Sequence, residues 1–413
     1  AAMVCSNAHV PCPSSSRSTG QGFSAVAVVA SAPSPLRVFC FAASFIIANI
    51  SPLTAHAGLS QSASAALARA SPFIVAHRPR GPRTHTSRAS KTTTPPTRAM
   101  AASPSSETTV VSAEWLRDNI TRPDVKVLDC SWYLPAMERD PIAEHEAKRV
   151  PGARYFDVDR VSDRASHLPH MLPSAGAFAA ACDAVGVTNG DQVVVYDGAG
   201  LFSAARGWWM FKVFGHDAVA LLDGGMGAWE SLESAELETS PPLYPASASA
   251  DACARHTPGD ALTFDAVLKP ELVLSKADVL ARCVGADAEE ILVDARPKPR
   301  WAGEASEPRA GIRSGRVPGS ACVPFFDILN GTARTFKSRS EIEGMFKEAG
   351  ADLIAMDDGD GKKIVASCGT GVTACVLSLG AAMVRKDGTP LPVYDGSWTE
   401  WGAEDSGCPV DGK

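Results

Sequence analysis

The chain contains no Cys-x-x-Cys pair, no apolar run of membrane-spanning length and, over its first 106 residues, no aspartate or glutamate. The first absence, with eleven cysteines scattered singly, excludes a disulfide framework and a zinc site and points to a reducing compartment. The longest candidate span, "VFCFAASFIIANI" at 38–50, falls short of the roughly 20 residues a bilayer requires, and "AHAG" follows it at the distance of a signal-type cleavage site. The third absence divides the chain. Residues 1–106 hold nine Lys or Arg, rich in Ala, Ser, Thr and Pro around them, which leaves 30 basic and 46 acidic side chains in the remaining 307 residues, a net of about −16. A body of that charge is no binder of nucleic acid. The leader is the composition of an organelle transit sequence, mitochondrial or plastid, expected to be unfolded and removed; the alternative is sequence upstream of a true start at Met100.

What is present is a repeat. "VKVLDCSWY" (125–133) answers to "EILVDARPK" (290–298), "RVPGARYFDV" (149–158) to "RVPGSACVPF" (316–325), "QVVVYDGAG" (192–200) to "KIVASCGTG" (363–371), and "LLDGGMGAW" (221–229) to "PVYDGSWTEW" (392–401). The offset drifts only from 165 (Asp129 to Asp294) to 172 (Trp229 to Trp401), as in a duplicated domain with small insertions. In each copy short β-branched runs ending in Asp or Cys alternate with stretches of helical spacing such as "TACVLSLGAAMV". Apolar runs without polar alternation suit strands buried on both faces, so each copy is expected to be α/β, a parallel sheet flanked by helices. The expected division is a leader at 1–106, a first domain at 107–237, an exposed Pro/Ala/Ser-rich linker at 238–262 and a second domain at 263–413.

Cys368 stands between an apolar strand and an apolar helix, followed by Gly369, Thr370, Gly371, Val372 and Thr373. In an open α/β sheet that is where ligands bind. A loop of small residues lets several N–H groups converge on the sulfur, and the helix start adds its positive end; both favour the nucleophilic thiolate. The alternative, a buried structural cysteine, suits Cys375 on the helix better, since packing gives no reason for a Gly-rich loop. The first copy has Asp197 at the position of Cys368.

The "CGTGVTA" loop, the following "YDGSWTEW", the preceding "RVPGS" and "VDARP", and the degenerate first copy together resemble the two-domain sulfurtransferases of the rhodanese superfamily, and within them the branch that uses mercaptopyruvate. The likeness runs from about 107 to 410. It implies two tandem rhodanese-like domains, the second catalytic and the first not. It implies Cys368 as the residue that carries sulfur, and a proton relay of Thr370, His170 and Asp159, with Thr where the family more often has Ser. It further implies Arg300 and Arg309 as holders of the donor's carboxylate and keto group, and the backbone of Gly369, Gly371, Val372 and Thr373 around the sulfur. Small neutral residues after the cysteine follow the mercaptopyruvate pattern rather than the cationic thiosulfate one. A guanidinium fork suits a planar carboxylate in itself, and histidine suits proton movement near neutral pH. Arg296, beside Asp294, is expected to be structural, and His167 has no counterpart in a catalytic role.

The resemblance implies a sulfur donor (3-mercaptopyruvate or thiosulfate), acceptors such as cyanide, thiols or thioredoxin, and no metal, organic cofactor or membrane for the mature protein. The alternatives are a thiosulfate sulfurtransferase and a persulfide-carrier module. A cysteine phosphatase on a related fold would need Arg six residues after the cysteine, where this chain has Ala374.

Overall fold

The computed structural model describes residues 109–412, so the expected leader lies outside the described residues. Within them are two five-stranded sheets, all of whose strand pairs are parallel. The first is built from β1 (Val110–Val111), β2 (Val125–Asp129), β3 (Arg154–Tyr155), β4 (Gln192–Tyr196) and β5 (Val219–Leu222) in the order β1-β5-β4-β2-β3. The second is built from β6 (Val273–Leu274), β7 (Glu290–Asp294), β8 (Ala321–Cys322), β9 (Lys363–Ser367) and β10 (Val393–Tyr394) in the order β6-β10-β9-β7-β8, the same plan.

The central strands are Val- and Ile-rich and buried along nearly their whole length, as strands covered on both faces must be. Serine caps start the flanking helices: Ser174 accepts from Ala177 N, and Ser275 and Ser338 form capping boxes with Asp278 and Glu341. In each sheet the chain runs outward in opposite directions from the central pair, β4 with β2 and β9 with β7. A crevice therefore opens beyond the carboxyl ends of those two strands. The segment after β9 begins with Cys368 and the segment after β7 holds Arg296 and Arg300, so topology alone brings the thiol and the cations to one crevice.

One hydrophobic core runs through both copies. Helix Ala204–Val213, buried all round with Trp208, Trp209 and Phe211, packs against helix Ala374–Val384, the helix that follows the cysteine loop. Two smaller cores cover the outer faces. The stretch 238–262 differs from the exposed linker that its composition suggests. It carries helix Ala248–Arg255, which packs on helix Ala175–Ala184 and buries Ser249, Ala250 and Cys253. Small side chains let two helices approach closely, so an Ala/Ser-rich segment formed a packed element.

Candidate active site

Cys368 is the first residue after β9 and is 2 % exposed. The turn after β10 clasps it: Ser397 Oγ accepts from Cys368 N at 3.2 Å, Trp398 N donates to Cys368 O at 3.0 Å, and Thr399 N and Oγ1 donate to Gly369 O at 2.9 and 2.7 Å. Gly371 has φ +78°, and a Cβ there would lie 2.7 Å from the Asp395 carbonyl, so the loop needs glycine at that point. The N–H groups of 369–373 donate to no protein acceptor among the described residues, and helix Ala374–Val384 begins directly after them.

The first copy shows what such a loop does when an anion is fixed in it. Asp197, fully buried, accepts at Oδ1 from Ala199 N (3.0 Å) and at Oδ2 from Phe202, Ser203 and Ala204 N (2.8, 2.9 and 2.7 Å). Burial pushes its pKa up, and the four N–H groups offset only part of that rise. A negative charge at the Cys368 position of the second copy faces a loop of the same descent.

Cys368, Thr370, Val372 and Thr373 line a cavity of about 400 Å³ together with Arg300 and Arg309. Its remaining wall is largely apolar and comes from both domains, with Trp132 and Phe202 from the first and Phe325 and Phe326 from the second. Gly369 also lines it, and a Cβ on that residue would sit 3.6 Å from Arg300 Nη2, so the guanidinium lies over the loop. Arg300 is bidentate to Glu307, with Nε at 3.2 Å from Oε1 and Nη2 on Oε2. Glu307 is also held by Arg296 Nη1 at 2.8 Å, and Arg296 by Asp294 at 2.7 Å. Arg296 is buried and fully engaged, as a structural residue would be. Arg309 is half-buried, with no carboxylate partner among the described residues.

His170 and Asp159 come together, with His170 Nδ1 3.0 Å from Asp159 Oδ1, and this pairing holds the Asp159 carboxyl below the usual range. His170 is buried at φ +61° and packs edge-on against Trp132 at 4.6 Å. Neither it nor Asp159 lines the cavity, and no hydrogen bond joins His170 to Thr370 or Cys368 among the described residues. His167 is exposed. Cys375 is buried with Sγ 3.2 Å from Gly371 O, and burial raises its pKa well above an ordinary thiol's.

Sequence reasoning passed over Glu307, Arg206 and Asp395. Glu307 joins the two arginines. Arg206 Nη1 donates to Asp395 Oδ1 at 2.7 Å and to Gly371 O at 3.3 Å, and Nη2 donates to His170 O. The repeated "DG" after β5 and β10 was a signal for Asp395. Its counterpart Asp223 also reaches the other domain, accepting from Phe336 N at 2.9 Å, as Asp395 accepts from Leu172 N at 2.8 Å.

The rhodanese-like domain family matches residues 112–232 and 276–404. The thiosulfate/3-mercaptopyruvate sulfurtransferase 1, mitochondrial, of Arabidopsis thaliana is 44% identical over 301 residues, 71% of this chain and 76% of that protein. The 3-mercaptopyruvate sulfurtransferase of Rattus norvegicus is 41% identical over 71% of this chain and 91% of its own length. The crystal structure of SseA from Escherichia coli, described as a 3-mercaptopyruvate sulfotransferase with the rhodanese fold, superposes with a TM-score of 0.57 at 32% identity, over 71% of this chain and 100% of that one.

Proposed function

The chain belongs to the rhodanese-like family and is a sulfurtransferase, and from that premise we propose that it moves the sulfur of 3-mercaptopyruvate through a persulfide on Cys368. The observation that carries this reading is the cavity itself: a cysteine under a loop of unpartnered N–H groups, faced by Arg300 and Arg309. The thiolate attacks the donor's sulfur, the C–S bond breaks, and its electron pair goes to the enolate of pyruvate, which is then protonated. The N–H groups of 369–373 stabilise the anionic sulfur as an oxyanion hole stabilises oxygen. An acceptor thiolate, cyanide or reduced thioredoxin then takes the outer sulfur and restores the Cys368 thiolate.

Arg300 and Arg309 bind the carboxylate and keto group. His170, with Asp159 behind it and Thr370 at the loop, is the proton-handling group. Thiosulfate, a compact dianion, lacks a cation directly after the cysteine and is the poorer donor. The acid-free leader, and the mitochondrial name of the Arabidopsis relative, support delivery to mitochondria, with the plastid as the alternative. Steady-state turnover with mercaptopyruvate and with thiosulfate, cyanide as acceptor in both, tests the assignment. Better use of thiosulfate overturns the donor, and no turnover with either, despite labelling of Cys368 by a persulfide, favours a carrier role.

A further inference from the structure

We propose that Arg206, a residue of the first domain, is a positioning residue for the cysteine loop of the second, acting as one half of a buried ion pair with Asp395. The inference rests on Cys368 being the reacting residue. Arg206 is 0 % exposed, the third residue of helix Ala204–Val213. Its guanidinium holds three parts of the site at once: Asp395 Oδ1 at 2.7 Å, the Gly371 carbonyl at 3.3 Å, and the His170 carbonyl. Asp395 in turn accepts from Leu172 N at 2.8 Å, so the segment bearing His170 is tied to the pair twice. The guanidinium also stacks 4.7 Å over Trp209.

Arg206 is itself fixed by the degenerate loop. Asp197 Oδ2 takes the N–H groups of Phe202, Ser203 and Ala204, where the helix begins, two residues before Arg206. The side chain fills the cradle, and it holds the helix that delivers the arginine to Gly371. Stability alone does not account for such a pair, because buried ion pairs replaced whole by apolar side chains are often neutral or stabilising. What the pair supplies is geometry, since Gly371 lies in the loop whose N–H groups face Cys368.

The test uses the full chain and the variants Arg206→Met, Arg206→Lys and Asp395→Asn, with three readouts: kcat and KM for mercaptopyruvate, the rate of Cys368 alkylation by iodoacetamide against pH, and thermal melting. Misplacing the loop should lower kcat about 100-fold in Arg206→Met with KM within about threefold, the scale expected of an ångström-level displacement. Alkylation should be about tenfold slower near neutral pH and equal to wild type at high pH, because fewer converging N–H groups favour the thiolate. Arg206→Lys, which keeps the charge but not the fork, should recover part of both.

A folded Arg206→Met with kcat within about threefold of wild type and an unmoved alkylation profile overturns the proposal. So does a set of variants whose activity loss follows the unfolded fraction alone. Should Arg206→Met not fold, Asp395→Asn, which keeps the side-chain shape, decides by the same criteria. Failure of the donor assignment looks different: wild type itself would not turn over mercaptopyruvate, while the alkylation comparison would still report on Arg206.

Discussion

Removing Arg300 should do more harm than removing Arg309, and removing Glu307 as well should undo part of it. Asp294, Arg296, Glu307 and Arg300 form a chain of ion pairs that sums to zero, which leaves Arg309 as the uncompensated cation of the cavity. Arg309→Ala loses one charge-assisted contact to the donor carboxylate, about 1.5–3 kcal/mol, or roughly ten- to hundredfold in kcat/KM. Arg300→Ala loses a similar contact and also unmasks Glu307, still held in place by Arg296 Nη1 at 2.8 Å, toward an anionic substrate. At an effective dielectric near 20, a unit charge about 8 Å away opposes binding by about 2 kcal/mol, a further factor of about thirty. In Arg300→Ala/Glu307→Gln the glutamine still accepts from Arg296 but carries no charge, so about that factor should return. The assay is kcat/KM for mercaptopyruvate at constant ionic strength, with melting curves to show that all four proteins are folded. A double variant no better than Arg300→Ala, or an Arg309→Ala enzyme within twofold of wild type, refutes the charge accounting.

Two further outcomes follow from the same geometry. Cys368→Ser should abolish turnover, and mass spectrometry of the wild type after donor treatment should place one added sulfur atom on the peptide bearing Cys368 rather than on the one bearing buried Cys283, whose thiol is pushed up to about 12. Asp159 has its pKa depressed by pairing with His170. The stabilisation is therefore present above the ordinary carboxylate range, near pH 4, and is lost as pH falls through the depressed value. The melting temperature of Asp159→Asn should thus lie below wild type from about pH 5 upward and converge with it in acid. The gap is small, since the carboxylate is about half exposed; a gap that widened in acid would reverse the sign of the coupling.

The repeat was legible because backbone plan follows apolar pattern. Asp129 and Asp294 each end the second strand of their sheet, and the two sheets have the same strand order. The cysteine loop was legible because its glycines have a backbone reason, visible as the positive φ of Gly371. Arg206 was not, because its partner Asp395 lies 189 residues away and spacing carries no information at that range. In the sequence it is one of two cations, with Lys212, in an otherwise apolar helix, and nothing there marks it as buried. Glu307 escaped for a related reason: its role exists only once Arg296 and Arg300 converge on it. The Ala-rich stretch around 248–255 was misjudged because composition reports backbone freedom, whereas packing on helix Ala175–Ala184 decided its structure.

The persistence of a first copy with Asp197 in place of the loop cysteine has a physical account in this arrangement, and it yields a last prediction. A catalytic loop must present its N–H groups to a sulfur whose charge changes through the cycle. The first loop holds Asp197 constantly, with four N–H groups on one carboxylate. Restoring a thiol there should not restore a second site. By the repeat offset, the residues after β2 that correspond to Arg296 and Arg300 are Ser131 and Pro135, and the guanidinium that does reach the first loop, Arg139, is held by Glu144 and by the Gly198 carbonyl rather than left to meet a donor carboxylate. Asp197→Cys should therefore gain no turnover with mercaptopyruvate in a Cys368→Ser background. With Cys368 intact it should lose both stability and activity, because the start of helix Ala204–Val213 loses its anion and Arg206 its anchorage. Loss of the acceptor for four N–H groups, at about 1 kcal/mol each, predicts a clearly lowered melting temperature. If Asp197→Cys melted as wild type and turned over at the wild-type rate, the first loop would have no part in holding the second.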